Sequence, residues 1–550
     1  MRGKASALAK RLLVPSLSDW LFMALVVWLF VTGSGWMTLL ADGDTGWHIR
    51  TGQYVLDTHT VPRTDLFSFS KPNERWFAWE WLSDVIFAAG LRCASLKGVV
   101  LPAGIAIAAS LAVLFRHMLR RGGNLLIALA VCLLTAAASG VHYLARPHVF
   151  TLLLLAVSLS IADRDREKRD GLVWLLVPLT AVWANLHAGF LSLLLSLAVP
   201  AVGAACERRW GEARRFALLT GLCAAASVVN PYGLGLHRHV LEYMRSDWIR
   251  EAVDEFQSPR FRSESALDFE ILLFAGIAAA VCLLRRRRIG EALLIVVWAH
   301  AALVSVRHVP VFAIVAGPLI VTEATRVWNR WARGRPARSV PAVLNGLAAD
   351  LAAGARGVSL IPALFVAVLA FGPGFAWPRD FPTAKFPVEL VNRNQAAIRG
   401  RRVLTSDQWG DYLIYRFYPV QRVFLDGRSD FYGPEIGRLY LRILYGHPDW
   451  RGALDRYRVC AVLAERTWPL ANLLRENDLW RIADQRGPAI LFERRSQANG
   501  CFPAKENPSA RRTMTQERRR DDLAQETPAG GLASEQLESK PAQDTRAHVL

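Results

Sequence analysis

Long apolar runs constrain this chain more than any other feature of its sequence. Of its 550 residues, 52% are hydrophobic, and the mean hydropathy is +0.21. About 20 apolar residues is the length that a helix needs to cross the hydrocarbon core of a bilayer. We therefore predict a mostly α-helical, polytopic membrane protein with about eleven spans. They are expected at residues 20–40, 97–115, 124–141, 148–162, 171–186, 188–206, 216–230, 267–284, 289–304, 309–325 and 357–377.

Basic residues divide the connections between these spans into two kinds. Lys and Arg concentrate before the first span and in every second connection, and short basic loops of this kind stay in the cytoplasm. The alternation predicts a cytoplasmic N-terminus, residues 1–19, and an outer C-terminus. It also accounts for the net charge of +19 without a nucleic-acid partner. The basic segments are residues 2–11, 116–121, 163–170, 207–215, 285–288 and 326–338.

The other connections carry His, Arg, Asn and Tyr at the predicted outer ends of the spans. A transporter would more naturally place such groups near the middle of the membrane, on interrupted helices. Here they gather at one face, which predicts that the working site lies outside. The segments are residues 41–54, 141–148, 185–190, 230–240 and 305–310.

The first outer loop, residues 41–82, begins with ADGDTGWHIRTGQY. Asp42 and Asp44 project to the same side if this segment is extended, because alternate side chains of an extended chain share a face. Trp47, His48 and Arg50 follow closely. Ionisable groups beside a membrane helix are costly unless water, a partner or a function accounts for them. The segment is therefore the leading candidate for a catalytic or binding site.

The chain leaves the predicted membrane domain, residues 20–380, before a small α/β domain at 383–495. Helices are expected at 434–444 and 468–476. The polar, aromatic-poor stretch 497–550 is expected to be a disordered tail. Short strands are expected in VLTSD, YLIYRF, RVFLDGR, VCAVLA and AILFER.

These motifs together resemble the GT-C superfamily of membrane glycosyltransferases. Its members take sugars from polyprenyl-phosphate donors on the non-cytoplasmic side, and their first outer loop carries a catalytic aspartate, often within Asp-x-Asp. Asp42-Gly43-Asp44 occupies that place here. The stretch from Asp44 to Arg50 is similar to one in the catalytic subunits of oligosaccharyltransferases. Uncharacterised bacterial membrane families share such an Asp-x-x-Trp-His loop, so the chain resembles a bacterial branch of this class.

A second window of resemblance lies in the C-terminal domain, at residues 403–430. Trp409, Gly410 and Tyr412, followed by the Asp426-Gly427-Arg428 turn, loosely resemble the layout of the oligosaccharyltransferase domain. The Trp-Trp-Asp motif that reads protein acceptors is absent, since Asp407-Gln408-Trp409 stands there. The resemblance therefore implies a glycosyltransferase without implying N-glycosylation of proteins.

The resemblance implies a hexosyl or pentosyl transfer in which Asp44 is the base. Asp42 would assist it, either through a shared divalent cation or by orienting Arg50. Carboxylate and phosphate oxygens favour Mg or Mn over zinc, so Asp42 and Asp44 are also the candidate metal ligands. Arg146 and Arg307 are the candidates for the donor phosphate, because guanidinium groups pair with phosphate through two hydrogen bonds. The remaining candidate substrate-binding residues are Trp47, His48, Arg50, His148, Asn185, His187 and His308.

The expected location is the bacterial inner membrane, crossed several times. The expected partners are a lipid-linked sugar donor, membrane lipids, and an acceptor that is a glycan, a lipid or a protein. Two other functions compete with transfer. A flippase or transporter for a lipid-linked sugar would show internal repeats and interrupted helices, and neither is evident. A non-catalytic assembly protein would lose nothing if Asp44 were changed.

Overall fold

The computed structural model describes residues 13–495, except 33, 264–265, 337, 353 and 355–358. The predicted tail at 497–550 and the basic residues before position 12 lie outside the described residues.

Apolar helices form a bundle that extends to residue 371. Helices satisfy their own backbone hydrogen bonds, which is why apolar segments of this length adopt them in a membrane. Local signals set some of their ends: Ser16 and Asp19 form a capping box, and Asn124 accepts hydrogen bonds from two backbone amides. The helices are α1 Leu17–Phe30, α2 Trp36–Leu39, α3 Asp44–Thr58, α4 Trp81–Ala94, α5 Lys97–Arg120, α6 Leu125–Ala138, α7 His148–Lys168, α8 Leu176–Leu186, α9 Phe190–Cys206, α10 Trp210–Ala226, α11 Leu234–Arg245, α12 Asp247–Ala252, α13 Ala266–Arg285, α14 Ile289–Val304, α15 Val309–Ala332, α16 Val340–Ala352 and α17 Ile361–Phe371.

Three helical segments of the described chain are long and apolar enough to cross a membrane. They are Lys97–Arg120, Ala266–Arg285 and Val306–Ala332. Most other predicted spans correspond to shorter apolar helices of 10–17 residues. The helical membrane character expected from the sequence fits this architecture, while the count of eleven spans and their orientation stay predictions.

The first outer segment is more helical than the sequence suggested. The extended conformation expected around Asp42 and Asp44 is wrong, because α3 begins at Asp44 and continues to Thr58. Helix α4 packs closely on α3: a Cβ on Gly52 would lie 1.8 Å from the carbonyl oxygen of Asp84. The missing side chain of Gly52 therefore lets the two backbones meet, and it places the side chains of α4 against one face of α3.

The C-terminal domain combines a four-stranded mixed sheet with short helices. Its strands follow the order β1-β2-β4-β3; β1 and β2 are parallel, whereas β4 is antiparallel to both of its neighbours. The mixed α/β class expected for this region is observed. The elements are α18 Val388–Arg393, α19 Gln395–Ile398, β1 Val403–Leu404, α20 Asp407–Phe417, α21 Ser429–Leu444, α22 Trp450–Arg456, β2 Ala461–Glu465, α23 Pro469–Arg475, β3 Trp480–Arg486 and β4 Ala489–Arg494.

Several strand assignments in this domain need correction. YLIYRF, expected as a strand, belongs to α20, whose start is fixed by Ser406: its hydroxyl accepts a hydrogen bond from the amide of Trp409. RVFLDGR is not a strand, since Val423 makes only isolated bridges. The polar strand β3 was missed because it lies at the sheet edge, where most of its side chains are exposed.

Candidate functional site

Most of the predicted site residues meet at one cavity. It lies at the end of the bundle where α7 begins and α8 ends, and one wall comes from the C-terminal domain at residues 427–430. We call this end of the molecule the cavity end. The predicted residues that line the cavity are Asp44, Trp47, His48, Arg146, His148, His187 and Arg307.

Arg146 is the centre of the charged groups at this cavity. Its guanidinium lies 2.9 Å from Asp42 Oδ2, 2.6 Å from Asp44 Oδ2 and 2.7 Å from Glu255 Oε1. The second oxygen of Glu255 lies 3.8 Å from Nε of Arg307. Carboxylates therefore outnumber guanidinium groups in the cluster formed by these five residues, which we call the cavity cluster.

Asp44 is held in place by its position at the start of a helix. Its backbone amide donates a 2.9 Å hydrogen bond to Asp42 Oδ1, and a negative charge in a first helical turn is favoured by the helix dipole. His48 follows one turn later, so both side chains lie on the same face of α3. The helix start thus brings Asp44 and His48 to the cavity, with Asp42 beside Asp44.

Burial has opposite effects on different members of the cavity cluster. It raises the pKa of Asp44 to about 7; Arg146 opposes this shift and Asp42 adds to it. Burial alone would also raise the pKa of Glu255, but Arg146 and Arg307 hold that pKa below its usual value. Although burial disfavours the charged guanidinium, Asp44 and Glu255 keep the pKa of Arg146 well above its usual range. Asp44 is therefore the acid of the cluster poised to exchange a proton near neutral pH.

Two glycines beside Asp44 allow the C-terminal domain to dock. A Cβ on Gly43 would lie 2.4 Å from the carbonyl oxygen of Gln408, and one on Gly46 would lie 2.5 Å from that of Asp411. The amide of Gly43 also donates a 2.6 Å hydrogen bond to Gln408 Oε1. Helix α20 therefore packs directly on the start of α3.

The Asp426-Gly427-Arg428 turn meets Asp44 from the same side. A Cβ on Gly427 would lie 1.8 Å from Asp44 Oδ1 and 3.0 Å from Asp411 Oδ2. The amide of Gly427 donates to Asp411 Oδ1, whereas Asp411 Oδ2 is buried and has no hydrogen-bond partner among the described residues. Burial and the nearby charge of Asp44 raise the pKa of Asp411 well above its usual value. Close approach to Asp44, rather than turn geometry alone, thus requires glycine at position 427.

Arg428 joins the first outer segment to the C-terminal domain. It is buried, and its guanidinium pairs with Asp426 at 2.7 Å and with Asp65 at 2.8 Å. The ring of Trp76 lies 4.5 Å from the guanidinium carbon. The observed ion pairs explain why the turn is so densely charged.

Some predicted site residues lie away from the cavity. Arg50 donates to the carbonyl oxygen of Tyr415 and to Gln53. Asn185 accepts a hydrogen bond from Trp81 and donates to two backbone carbonyls, and His308 contacts the carbonyl oxygen of Ala301. These contacts are of the kind that join helices, so the structure does not bring these residues to the cavity with Asp44.

Several cavity residues were not anticipated from the sequence. Glu80 and Tyr243 line the cavity, Glu255 pairs with Arg146, and Asp411 approaches Asp44. Glu80 stands between tryptophans at the end of the aromatic loop, which was the one signal that could have found it. Asp411 was hidden in a segment interpreted as the approach to a strand.

The expected metal site can be tested against these contacts. Asp42 and Asp44 both point to the guanidinium of Arg146, so a positive charge already lies between the proposed ligands. Within residues 13–495, as far as they are described, no group of three or more His, Cys, Asp or Glu side chains has a metal-binding arrangement. As placed, these carboxylates do not fit a divalent cation unless Arg146 moves, and a role for Mg or Mn stays a prediction.

Comparisons with known proteins give distant structural likenesses. No family model and no curated protein sequence matches the chain. The chain is similar to an archaeal oligosaccharyltransferase, AglB from Archaeoglobus fulgidus in complex with an inhibitory peptide and a dolichol-phosphate: 12% identity, TM-score 0.43, 82% of this chain and 69% of that one. It is also similar to ArnT from Cupriavidus metallidurans bound to undecaprenyl phosphate: 12% identity, TM-score 0.48, 89% of this chain and 98% of that one. Both are GT-C glycosyltransferases, the class that the sequence resembles, and we transfer no residue role from either.

Proposed function

We propose that this protein is a membrane glycosyltransferase that moves a sugar from a polyprenyl-phosphate donor to an acceptor hydroxyl. The reaction would take place at the cavity end, on the outer face of a bacterial inner membrane. The sugar is a hexose or a pentose, and the acceptor is a glycan, a lipid or a protein. The observation that carries the proposal is the placement of an acid with a pKa of about 7, Asp44, beside two half-buried arginines in one cavity.

The proposed step matches these groups. The acceptor oxygen forms a bond to the anomeric carbon of the sugar while the bond from that carbon to the phosphate oxygen breaks. Asp44 takes the proton of the acceptor hydroxyl, and the bonding electrons leave with the polyprenyl phosphate. One base is sufficient because the leaving group is already an anion, and a base is most effective when its pKa lies near the working pH.

Arg146 and Arg307 would neutralise the phosphate. Fixed cations in a site from which water is excluded stabilise developing negative charge more strongly than they would in water. Arg146 is engaged by three carboxylates, whereas Arg307 has only Glu255 at 3.8 Å and the hydroxyl of Tyr243 at 3.5 Å among its described polar partners. Arg307 is therefore the guanidinium more available to an incoming phosphate. Arg146 would be released from its carboxylate partners as the donor binds.

The test is transfer of radiolabelled sugar from a lipid extract of bacterial membranes by the purified protein. We expect the parent to label an acceptor, and Asp44→Asn to bind polyprenyl phosphate but not to transfer. Asp57→Asn is the matched control, because Asp57 lies in the same helix but is 53% exposed. Transfer at the parental rate by Asp44→Asn, or no transfer by the parent from any polyprenyl donor, would contradict the proposal.

A further inference from the structure

A second set of titratable side chains lines the cavity beside the cavity cluster. Glu80 lies between two histidines: its Oε2 is 3.7 Å from His48 Nε2, and its Oε1 is 3.4 Å from His187 Nε2. Asp84, one turn further along α4, reaches His48 from the other side. None of the steps proposed above uses Glu80 or Asp84, so the function of this set remains to be assigned.

The proton on His48 can be located from its partner. Its Nδ1 lies 2.6 Å from Asp84 Oδ1, and both side chains are 1% exposed. Burial raises the pKa of Asp84 well above its usual value. Even a protonated carboxyl group keeps one oxygen that accepts, so we assign the shared proton to Nδ1 of His48. Burial, together with the charge of Arg146, lowers the pKa of His48 well below its usual value and keeps the ring neutral. Nε2, which faces Glu80, is therefore an acceptor.

The proton on His187 lies on the opposite ring nitrogen. The amide of Gly189 donates a 2.9 Å hydrogen bond to Nδ1, which must then be an acceptor. The hydroxyl oxygen of Thr151 lies 2.9 Å from the same nitrogen. This oxygen accepts a hydrogen bond from the indole N–H of Trp183. In the neutral ring the remaining proton is on Nε2, which points at Glu80.

Glu80 thus faces an acceptor on one side and a donor on the other. An ionised carboxylate would place its lone pairs against those of His48 Nε2. A protonated one presents a hydroxyl to the acceptor of His48 and a carbonyl oxygen to the donor of His187, so each of its oxygens faces a group of matching polarity. Burial raises the pKa of Glu80 to about 8, although Arg307 and Arg146 lower it; Asp430 and Asp44 raise it further.

We propose that Glu80 is a neutral carboxylic acid and that, with His48 and His187, it forms a subsite that binds hydroxyl groups of the donor sugar. This rests on the proposed function. The separations of 3.4 and 3.7 Å exceed those of ordinary hydrogen bonds, so a hydroxyl of the ligand can bridge a gap and both donate and accept. Asp84 acts as a positioning residue, because it fixes the proton on His48. The sugar and the phosphate are then bound by separate walls: this neutral subsite and the arginines.

The experiment compares binding of two lipids by the purified full-length protein: undecaprenyl phosphate, and undecaprenyl phosphate carrying one hexose or one pentose. We expect the parent to bind the better of the two sugar-bearing lipids more tightly than the bare phosphate. Glu80→Ala should lose about three- to tenfold of affinity for the sugar-bearing lipid, the value of one or two hydrogen bonds, and little for the bare one. Glu80→Gln, which is neutral at every pH and keeps a donor and an acceptor, should restore most of that loss.

The pH dependence separates a neutral Glu80 from a charged one. Between pH 6.5 and 9.5, the parent should lose its preference for the sugar-bearing lipid as Glu80 gives up its proton near pH 8, whereas Glu80→Gln should keep its preference. A parental preference that is independent of pH, or Glu80→Gln as weak as Glu80→Ala at pH 6.5, would overturn the proposal. Equal losses for both lipids in Glu80→Ala would also overturn it, because Glu80 would then support the whole cavity.

These outcomes are distinguishable from failure of the proposed function. Binding is measured without transfer, so an inactive parent that still discriminates the two lipids by pH contradicts the transfer proposal and supports the subsite. A parent that transfers sugar, but whose lipid binding does not depend on Glu80, supports the transfer proposal and contradicts the subsite.

Discussion

Two clusters of buried charge lie at opposite ends of the same helices and differ in their balance. The cavity cluster surrounds Arg146, just before α7. The other, which we call the opposite cluster, consists of His117, Arg121, Asp163, Arg166 and Glu291 and lies where α7 approaches its end and α14 begins. From Arg146 to Asp163 the rise of one helix amounts to roughly 25 Å.

The opposite cluster is made of matched pairs. Asp163 accepts from His117 at 2.7 Å and from Arg166 at 3.1 Å, and it also pairs with Arg121. Arg121 lies 3.0 Å from Glu291, which Arg288 approaches at 2.7 Å. Each carboxylate has at least two cationic or protonatable partners, and both carboxylates belong to helices.

The difference separates a structural cluster from a candidate site. Burial of charge is common to both, so burial alone does not indicate function. The cavity cluster has three carboxylates on one guanidinium, one acid whose pKa is displaced toward neutrality, and contributions from a second domain. Such an imbalance costs stability, and it is more typical of functional sites than of structural ion pairs.

The largest effect should come from removing the proposed base. Asp44→Asn keeps the size of the side chain and removes its basicity, so we expect transfer to fall by about a hundred- to ten-thousand-fold. Because Asp44 is buried against Arg146, its replacement can also affect folding, so thermal unfolding should be measured on the same samples. A fall in activity that only follows a loss of folded protein would place Asp44 with the structural residues.

The opposite cluster should respond in the opposite way. Asp163→Asn removes the carboxylate that Arg121 and His117 share, and breaking a pair of this kind costs about 3 kcal/mol. We expect a lower resistance to thermal unfolding and an unchanged rate of transfer per folded molecule. A specific loss of transfer at full stability would erase the distinction between the two clusters.

A smaller effect is expected for the phosphate. Arg307→Ala should weaken binding of undecaprenyl phosphate by about 1.5–3 kcal/mol, the value of a charge-assisted hydrogen bond. Arg146→Ala should weaken it too, but it also leaves three carboxylates unpaired, so Arg307 gives the cleaner measurement. Arg238→Ala is the matched control, because that side chain is 84% exposed. Parental binding by Arg307→Ala would leave Arg307 with an interfacial role only.

The smallest effect concerns pH. Transfer by the parent should rise as the pH passes about 7, because Asp44 must lose its proton to act as a base. Asp42→Asn removes a negative charge that raises the pKa of Asp44, so its profile should move to lower pH. If the two acids instead share a cation, Asp42→Asn should be as inactive as Asp44→Asn, and only the parent should respond to added Mn. A profile that does not move would show that Asp42 does not act on Asp44 electrostatically.

The sequence revealed which residues share an end of the bundle, but not which of them meet. Apolar runs predicted the helices, and the connections between them predicted that Asp44, Arg146, His187 and Arg307 would lie on one face. Contacts between neighbouring helices are set by side-chain packing. For that reason the predicted site residues included Asn185 and His308, which lie away from the cavity, and did not include Glu255.

The errors in the C-terminal domain have a related cause. In a short segment such as residues 412–417, apolar and aromatic residues fit a buried strand and a buried helix equally well. The helix that formed, α20, presents Asp411 to Asp44, and the strand interpretation concealed that approach. Glu80 escaped notice because its role depends on two histidines that reach it from other helices.

The docking of α20 on α3 fixes an order of events during synthesis. Gly43 and its partner Gln408 are 365 positions apart, so Asp44 is made long before the surface that encloses it. A ribosome adds roughly 5–20 residues per second, which leaves a delay of some tens of seconds. Until the C-terminal domain is made, its contacts with Gly43 and Gly46 are missing and Asp44 is less enclosed, so burial would raise its pKa less. The nascent protein would therefore become competent for transfer only when its C-terminal domain docks on α3.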